Sequence, residues 1–380
     1  MREVVIVEAV RTPIGRRSGA LKDVHPVVLA AMALRELVKR AGISPALVED
    51  VVMGCVSQVG EQAVNIARNA VLQAGFPIEV PATTVDRQCG SGQQALHFAA
   101  NLIQSEVCDV TIAAGVESMT RLPIGSSTAT GGRPFPPTLL EQYPLVHQGL
   151  SAEMIAEQWH ISRDELDAYG LRSHTLAAAA QDEGRFDREI MPLPLPDGTV
   201  FAKDEGVRRD TSLEKLAGLQ PAFRPDGRIT AGSSSQVSDG AAALLLTTPE
   251  KAAELGIRPR ARVVAHKVVG VDPVTMLTGP IPGTKAVLAK AGLTLDQIDL
   301  VEINEAFASV VLAWERELHP DMDRVNVNGG AITLGHPLGA SGARLAVTLL
   351  HELERRDARY GLETMCCGGG LGTATIFERL

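Results

Sequence analysis

Cys89 stands in Asp86-Arg87-Gln88-Cys89-Gly90-Ser91-Gly92, and the apolar spacing from Ala95 to Ile103 predicts a helix that opens just after it. A thiol at a helix start faces unpaired N–H groups and the positive end of the backbone dipole, which favour a thiolate. Gly90 and Gly92 leave room for a ligand carbonyl to approach the backbone. A cysteine in this place also has a plainer reading, a small buried hydrophobe. Gly329-Gly330-Ala331-Ile332-Thr333-Leu334-Gly335-His336-Pro337-Leu338-Gly339-Ala340-Ser341-Gly342 puts a histidine on a second glycine-rich turn. An imidazole beside a thiol can hold the thiolate, the Cys–His arrangement of nucleophilic catalysis. Alone, the same histidine is equally a structural residue.

Met365-Cys366-Cys367-Gly368-Gly369-Gly370-Leu371-Gly372 follows an apolar strand. Its three consecutive glycines present backbone N–H groups suited to an oxyanion, or else simply form a tight turn. A cysteine beside them can act as general acid or base. Glu302-Ile303-Asn304-Glu305-Ala306-Phe307-Ala308 places polar groups at a strand end, where α/β sites gather and where such groups also cap helices.

These residues need elements to hold them, and the chain supplies those elements twice. Shifted by 250 residues, Ala41-Gly42-Ile43 falls on Ala291-Gly292-Leu293, and Val51-Val52-Met53 falls on Val301-Glu302-Ile303. Each glycine ends a helical apolar pattern as a C-cap does, and each segment finishes in an apolar strand. The same shift lays Ser91-Gly92 on Ser341-Gly342, each opening an amphipathic helix, Ala95 to Ile103 and Leu345 to Leu353. A strand follows in each half, Val110 to Ala114 and Leu362 to Cys366, and the openings Val4 to Val7 and Arg262 to Ala265 match loosely. The shared spacing and order predict an internal duplication of a βα unit. If the halves pack about a pseudo-twofold axis, the Cys89 and His336 turns converge near it.

Between the halves, about 118 to 237 reads differently. Gly125 to Pro137 is a loop by composition, and helical segments follow between about Ser151 and Asp182. Ser162-Arg163-Asp164-Glu165 fits a capping box, with Ile161 and Leu166 placed as a hydrophobic staple. Pro192, Pro194, Pro196 and Gly198 then break the chain. An insert of this length binds something, assembles subunits, or is a variable surface excursion.

Composition narrows the class. A net charge of −9 with 3% aromatic residues excludes a nucleic-acid surface, which needs basic stripes and stacking platforms. No apolar stretch reaches the roughly 18–20 residues that span a bilayer, and Arg2 to Val7 reads as a strand rather than a cleavable signal, so a cytoplasmic protein with no membrane partner is expected. Five cysteines at Cys55, Cys89, Cys108, Cys366 and Cys367 show neither disulfide nor zinc-ligand spacing, and reduced thiols without a metal fit better.

Taken together, Gln88-Cys89-x-Ser91-Gly92, Asn304-Glu305-Ala306-Phe307, Asn328-Gly329-Gly330-Ala331-Ile332 through Gly335-His336-Pro337, and Cys366-x-Gly368-Gly369-Gly370 resemble the thiolase superfamily, in order along essentially the whole chain. The resemblance implies an α/β fold of five layers, αβαβα, duplicated about the active site and covered by an inserted loop domain. Residues 1–117 then form the first half, completed by about 238–259, with 118–237 as the loop domain and 260–380 as the second half. It implies homodimers or homotetramers, a place in fatty acid metabolism, and no cofactor beyond coenzyme A thioesters as substrates. It makes Cys89 the acylated nucleophile, His336 its activator, Asn304 the holder of a water at the thioester oxyanion, and Cys366 the proton shuttle. Backbone N–H groups of Cys89 and Gly368 resemble the second oxyanion hole. Arg208 matches a phosphate-binding arginine and Ser235 a serine beside the pantetheine arm, with His147, Gln148, Met276, Ala306 and Phe307 about the acyl and coenzyme pocket.

The sequence departs from the pattern twice: Gln148 replaces the methionine of the acetoacetyl-specific His-Met-Gly, and Leu277 replaces a commoner glycine. Both leave the acyl-chain length open. The ketosynthase branch, which pairs its cysteine with two histidines or with His and Asn, is the alternative enzyme, and Cys366 argues against it. A non-catalytic acyl-CoA or lipid carrier would have no use for the whole set Cys89, His336, Asn304 and Cys366.

Overall fold

The computed structural model describes residues 2–129, 131–195 and 197–380. Met1, Thr130 of the Gly125 to Pro137 loop, and the chain-breaking Pro196 lie outside the described residues. The strands are β1 (Val5–Arg11), β2 (Gly15–Arg16), β3 (Asp50–Gly54), β4 (Ala82–Val85), β5 (Val110–Ser118), β6 (Leu193–Pro194) and β7 (Val200–Phe201). They continue with β8 (Ser238–Thr247), β9 (Ala261–Gly270), β10 (Leu300–Ile303), β11 (Tyr360–Cys367) and β12 (Leu371–Arg379). All but β6 and β7 join one ten-stranded mixed sheet in the order β10-β11-β12-β9-β1-β8-β5-β3-β4, with β2 beside β8. Its weak point is the middle, where β1 and β9 share only the pairs Val5–Arg262 and Ile6–Ala261.

Alternation along the strands shows that both faces are covered. In β3, Val51 and Met53 share a core with Leu29, Leu34 and Ile66 from helices Pro26–Ala41 and Ile66–Gln73. Val52 between them points the other way, into a core with Ala95 and Leu96 of helix Ser91–Gln104 and Ala346 and Val347 of helix Leu338–Arg356. That central core also takes Leu300 and Phe377 from the far half of the sheet. A third core sets Val301, Ile303, Leu362 and Ile376 against Val287 and Val310 of helices Pro280–Ala291 and Ala308–Leu318. The two outer cores each fill one helix–sheet interface and the central core fills both interfaces of the middle helix layer, which makes five layers, αβαβα.

The duplication is visible in backbone detail. Helices Pro26–Ala41 and Pro280–Ala291 end on Gly42 at φ 69° and Gly292 at φ 67°, the left-handed C-cap that glycine adopts without a Cβ penalty. Where the two central helices cross, a Cβ on Gly92 would lie 2.6 Å from the Ala343 nitrogen, and one on Gly342 would lie 2.2 Å from the Gln93 nitrogen. The helices therefore touch backbone to backbone at equivalent glycines, and this closeness brings their starting turns together.

The insert carries helices Gln148–Gln158 and Arg163–Asp182. The second opens with the expected capping box, Ser162 and Glu165 each bonding the other's backbone. Ile161 and Leu166 are both fully buried beside it. Gly125 to Pro137 is largely exposed. Among the described residues no helix is long and apolar enough to cross a membrane.

Candidate active site

Gln88 takes the left-handed conformation at φ 49°, turning the chain from β4 into helix Ser91–Gln104. Ser91 pins this turn: the Arg87 N–H donates to its Oγ at 2.8 Å, and its hydroxyl donates to the Gln88 carbonyl at 2.6 Å. Cys89 is 3% exposed. Burial pushes its thiol up to about 11, opposed by the N–H groups of Gly368 and of Cys89 itself and by the Gln148 side-chain amide. The stabilised thiolate expected at a helix start is thus corrected for the resting protein. Desolvation outweighs these donors, so the Cys89 thiol is protonated near neutral pH.

The imidazole of the second turn is buried as well. His336 is 3% exposed, and burial, aided by the Arg344 guanidinium, brings its imidazole down to about 3. Its backbone N–H donates to the Gln236 carbonyl at 3.1 Å. Its Nδ1 lies 2.5 Å from the Ser341 Oγ, whose hydroxyl donates to the Pro337 carbonyl at 2.9 Å. Asn304 Nδ2 approaches Nε2 at 3.3 Å. One tautomer satisfies this network: the proton sits on Nδ1 and is donated to Ser341, leaving a lone pair on Nε2. The Asn304 Oδ1 is buried with no partner among the described protein atoms.

The third contribution comes from the β11–β12 hairpin, whose last registered pair is Cys367–Leu371. Gly369 and Gly370 cross the hairpin at φ 81° and 79°. The Gly368 N–H, on this hairpin, lowers the Cys89 thiol against the effect of burial. Cys366 is fully buried, and its thiol is raised well above the ordinary range by burial, with the Cys89 and Cys367 sulfurs adding to the rise. Cys367 points to the opposite face of β11, where its sulfur lies 2.6 Å from where a Gly90 Cβ would stand. It fills the space under the Cys89 turn.

Around this centre the insert and the C-terminal half interlock. The Ser235 N–H donates to the Ala306 carbonyl at 3.0 Å, and Ser234 bridges to Phe307. His147 caps helix Gln148–Gln158, its Nδ1 accepting the Gly149 N–H at 3.1 Å. Its ring lies 5.5 Å from Phe223, which meets Phe307 edge-on at 5.7 Å. Met276, at φ 25°, is buried in the core that holds Ala306 and Phe307.

Cys89, Cys366, Gly368 and Gln148 thus form one group and His336, Asn304 and Ser341 another, on turns held close by the approach of Gly92 and Gly342, while His147, Met276, Ala306, Phe307 and Ser235 lie where the insert meets the C-terminal half. Arg208 is in neither group; it is exposed on the insert, its N–H donating to His174 Nδ1 at 3.2 Å.

Sequence reasoning missed two supports. Ser341 was read only as a helix opener, yet it orients the imidazole; the signal was a serine one helical turn after Pro337. Glu305 accepts from Tyr169 at 2.9 Å, Ser173 at 2.7 Å, Asn326 at 3.0 Å and the Ile332 N–H at 3.1 Å, tying the Asn304 segment to the insert. Glu302 does not reach the site. It lies behind it, 3.6 Å from buried Arg344 and raised to about 8, chiefly by burial.

Two related halves each present one glycine turn at the start of a central helix, one carrying a buried thiol and the other a buried, neutral imidazole, and the comparisons with known proteins define the class as an acyltransferase. Residues 4–250 match the thiolase N-terminal domain and residues 257–379 the thiolase C-terminal domain. The chain belongs to the thiolase family. It is 50% identical over 389 residues to a steroid 3-ketoacyl-CoA thiolase of Mycobacterium tuberculosis, covering 100% of this chain and 95% of that one. It is 45% identical to an acetyl-CoA acetyltransferase of Syntrophomonas wolfei, with both chains covered in full at 100%. The crystal structure of the Bacillus anthracis acetyl-CoA acetyltransferase superposes with a TM-score of 0.91 at 45% identity, over 100% of this chain and 99% of that one.

Proposed function

We propose that this thiolase cleaves 3-ketoacyl-CoA with coenzyme A, and runs the reverse Claisen condensation, through an acyl thioester on Cys89. The observation that supports this is the meeting of the two central helices at Gly92 and Gly342, which holds the turn of the protonated Cys89 close to that of His336, whose Nε2 carries no proton and faces the Asn304 amide. Nε2 takes the Cys89 proton as the sulfur attacks the thioester or ketone carbonyl carbon. The carbon–sulfur or carbon–carbon bond then breaks, and the leaving thiolate or α-carbon takes a proton from Cys366. In the second half the Cys366 thiolate takes the proton of the incoming coenzyme A thiol, or of the α-carbon of an acyl-CoA in condensation, as that atom attacks the acyl carbon; the bond to Cys89 breaks and Cys89 recovers its proton from His336. The N–H groups of Cys89 and Gly368 receive the charge that develops on the acyl oxygen. The unpartnered Asn304 Oδ1 supports a water-holding role at the other oxyanion. So written, the reaction needs no cofactor beyond coenzyme A thioesters.

His147, Met276, Ala306, Phe307 and Ser235 would contact the acyl and pantetheine parts, and exposed Arg208 would meet a phosphate of coenzyme A. Association into a homodimer or homotetramer belongs to the same proposal. Strand β4 is a sheet edge, and exposed Val64 and Ile78 lie in the segments flanking it. Five free thiols among the described residues favour a reducing compartment such as the cytoplasm. The test is radiolabelled acetyl-CoA followed by peptide mapping: label is expected on Cys89 alone and none in Cys89→Ala. Label recovered on Cys366 or Cys367 would overturn the assignment.

A further inference from the structure

Gln148 stands where the acetoacetyl-specific pattern has methionine, and the fold does more with it than line a pocket. It is the first residue of helix Gln148–Gln158, whose start is fixed from several sides. His147 caps it, and the Ser151 hydroxyl donates to the Val274 carbonyl at 2.6 Å. A Cβ on Gly149 would lie 2.1 Å from the Phe223 ring, so the helix start is pressed against that aromatic cluster. From this rigid base the Gln148 side chain reaches the β11–β12 hairpin. Its Nε2 lies 2.8 Å from where a Gly368 Cβ would stand, on the residue whose own N–H lowers the Cys89 thiol. Gln88, just before the nucleophile, brings its Oε1 to 3.3 Å from the same point. The amide nitrogen thus lies against Gly368, on the side where the side chain of Gln88, the residue before the nucleophile, also sits.

We propose that Gln148 is a catalytic residue, its side-chain N–H donating to the Cys89 sulfur as a third donor beside the backbone N–H groups of Cys89 and Gly368. The inference rests on Cys89 being the nucleophile. A hydrogen bond to a forming thiolate is stronger than one to the thiol, so the donor favours ionisation and attack. Methionine fills the same space and its thioether donates nothing. The bond therefore opposes the desolvation that holds the Cys89 proton in place.

The experiment measures Cys89 alkylation by iodoacetamide across pH, located by mass spectrometry, in the parent, Gln148→Met and Gln148→Glu. Below the thiol's midpoint the rate follows the thiolate fraction, partly offset by the greater nucleophilicity of a more basic sulfur. Loss of a charge-assisted donor predicts roughly three- to fifteenfold slower alkylation in Gln148→Met. Gln148→Glu should be slower still, because a carboxylate opposes the thiolate. An acidic residue suits a helix start, so this variant keeps the fold if methionine there does not. Alkylation in either folded variant within twofold of the parent at every pH would overturn the proposal. Acetyl label on Cys89 with unmoved alkylation discards Gln148 alone, whereas absence of acetyl label on Cys89 discards the reading beneath it.

Discussion

Ser91 and Ser341 are the same residue of the two halves, and they hold different things. Ser91 accepts the Arg87 N–H and donates to the Gln88 carbonyl, so it braces only backbone, and the turn it braces presents Cys89. Ser341 donates to the Pro337 carbonyl in a similar way, but its oxygen lies against the His336 ring instead of a peptide N–H. One duplicated turn has become a rigid platform for a nucleophile, the other an orienting partner for a base. Burial acts on both in the direction of neutrality, raising the thiol to about 11 and lowering the imidazole to about 3. The difference teaches that equivalent serines can serve different ends: on the proposed mechanism the two halves divide one proton transfer, each keeping its own group neutral at rest.

The comparison breaks most severely at His336. Its replacement by alanine should cut acyl transfer by roughly a hundred- to ten-thousandfold, the range for losing a positioned general base. The pH profile supplies the sign. The neutral imidazole is the active form and becomes charged only near pH 3, so kcat/KM should show no fall at the ordinary histidine value of 6.5. A step there, absent in His336→Ala, would mean that His336 titrates as an exposed histidine.

The adjacent cysteines sharpen the contrast within one half. Cys366→Ser should lower thiolysis and condensation at least about a hundredfold while Cys89 is still acylated, because proton transfer at carbon is the step that needs it. Cys367→Ala should cost less than about tenfold, or ~1.4 kcal/mol, since its sulfur packs under Gly90. Steady-state rates together with burst acylation separate the two, and equal losses would erase the distinction.

The smallest effects come from the serines. Ser341→Ala should lower kcat by roughly five- to fifteenfold with KM unchanged, the worth of one orienting hydrogen bond at ~1–1.5 kcal/mol. Ser91→Ala should instead appear as about 1 kcal/mol of lost stability in a urea titration, with kcat nearly kept. If both variants lose activity to the same degree, the two turns are equivalent and the asymmetry drawn here is wrong.

Much of this was written in the order of residues. Glycine at 42 and 292, serine and glycine at 91–92 and 341–342, and apolar runs of fixed spacing specified the repeated βα unit, because caps and periodicity are local properties of the chain. Ser162 and Glu165 announced their helix for the same reason. The residue types that do chemistry were legible as candidates, Cys89, His336, Asn304 and Cys366 among them. Only the tertiary structure decided how they behave. That Gly92 and Gly342 meet at backbone distance, so that two turns 247 positions apart, at Cys89 and His336, face each other, follows from packing of whole helices. The direction of the ionisations was likewise invisible in sequence. A helix start argues for a thiolate, but burial raises the thiol by more than the neighbouring N–H donors lower it, and burial is a property of the fold. Cys366 and Cys367 differ by one position in the chain, and the pleat of β11 sends them to opposite faces, one into the core with Met276 and Ile303 and one beneath the Cys89 turn.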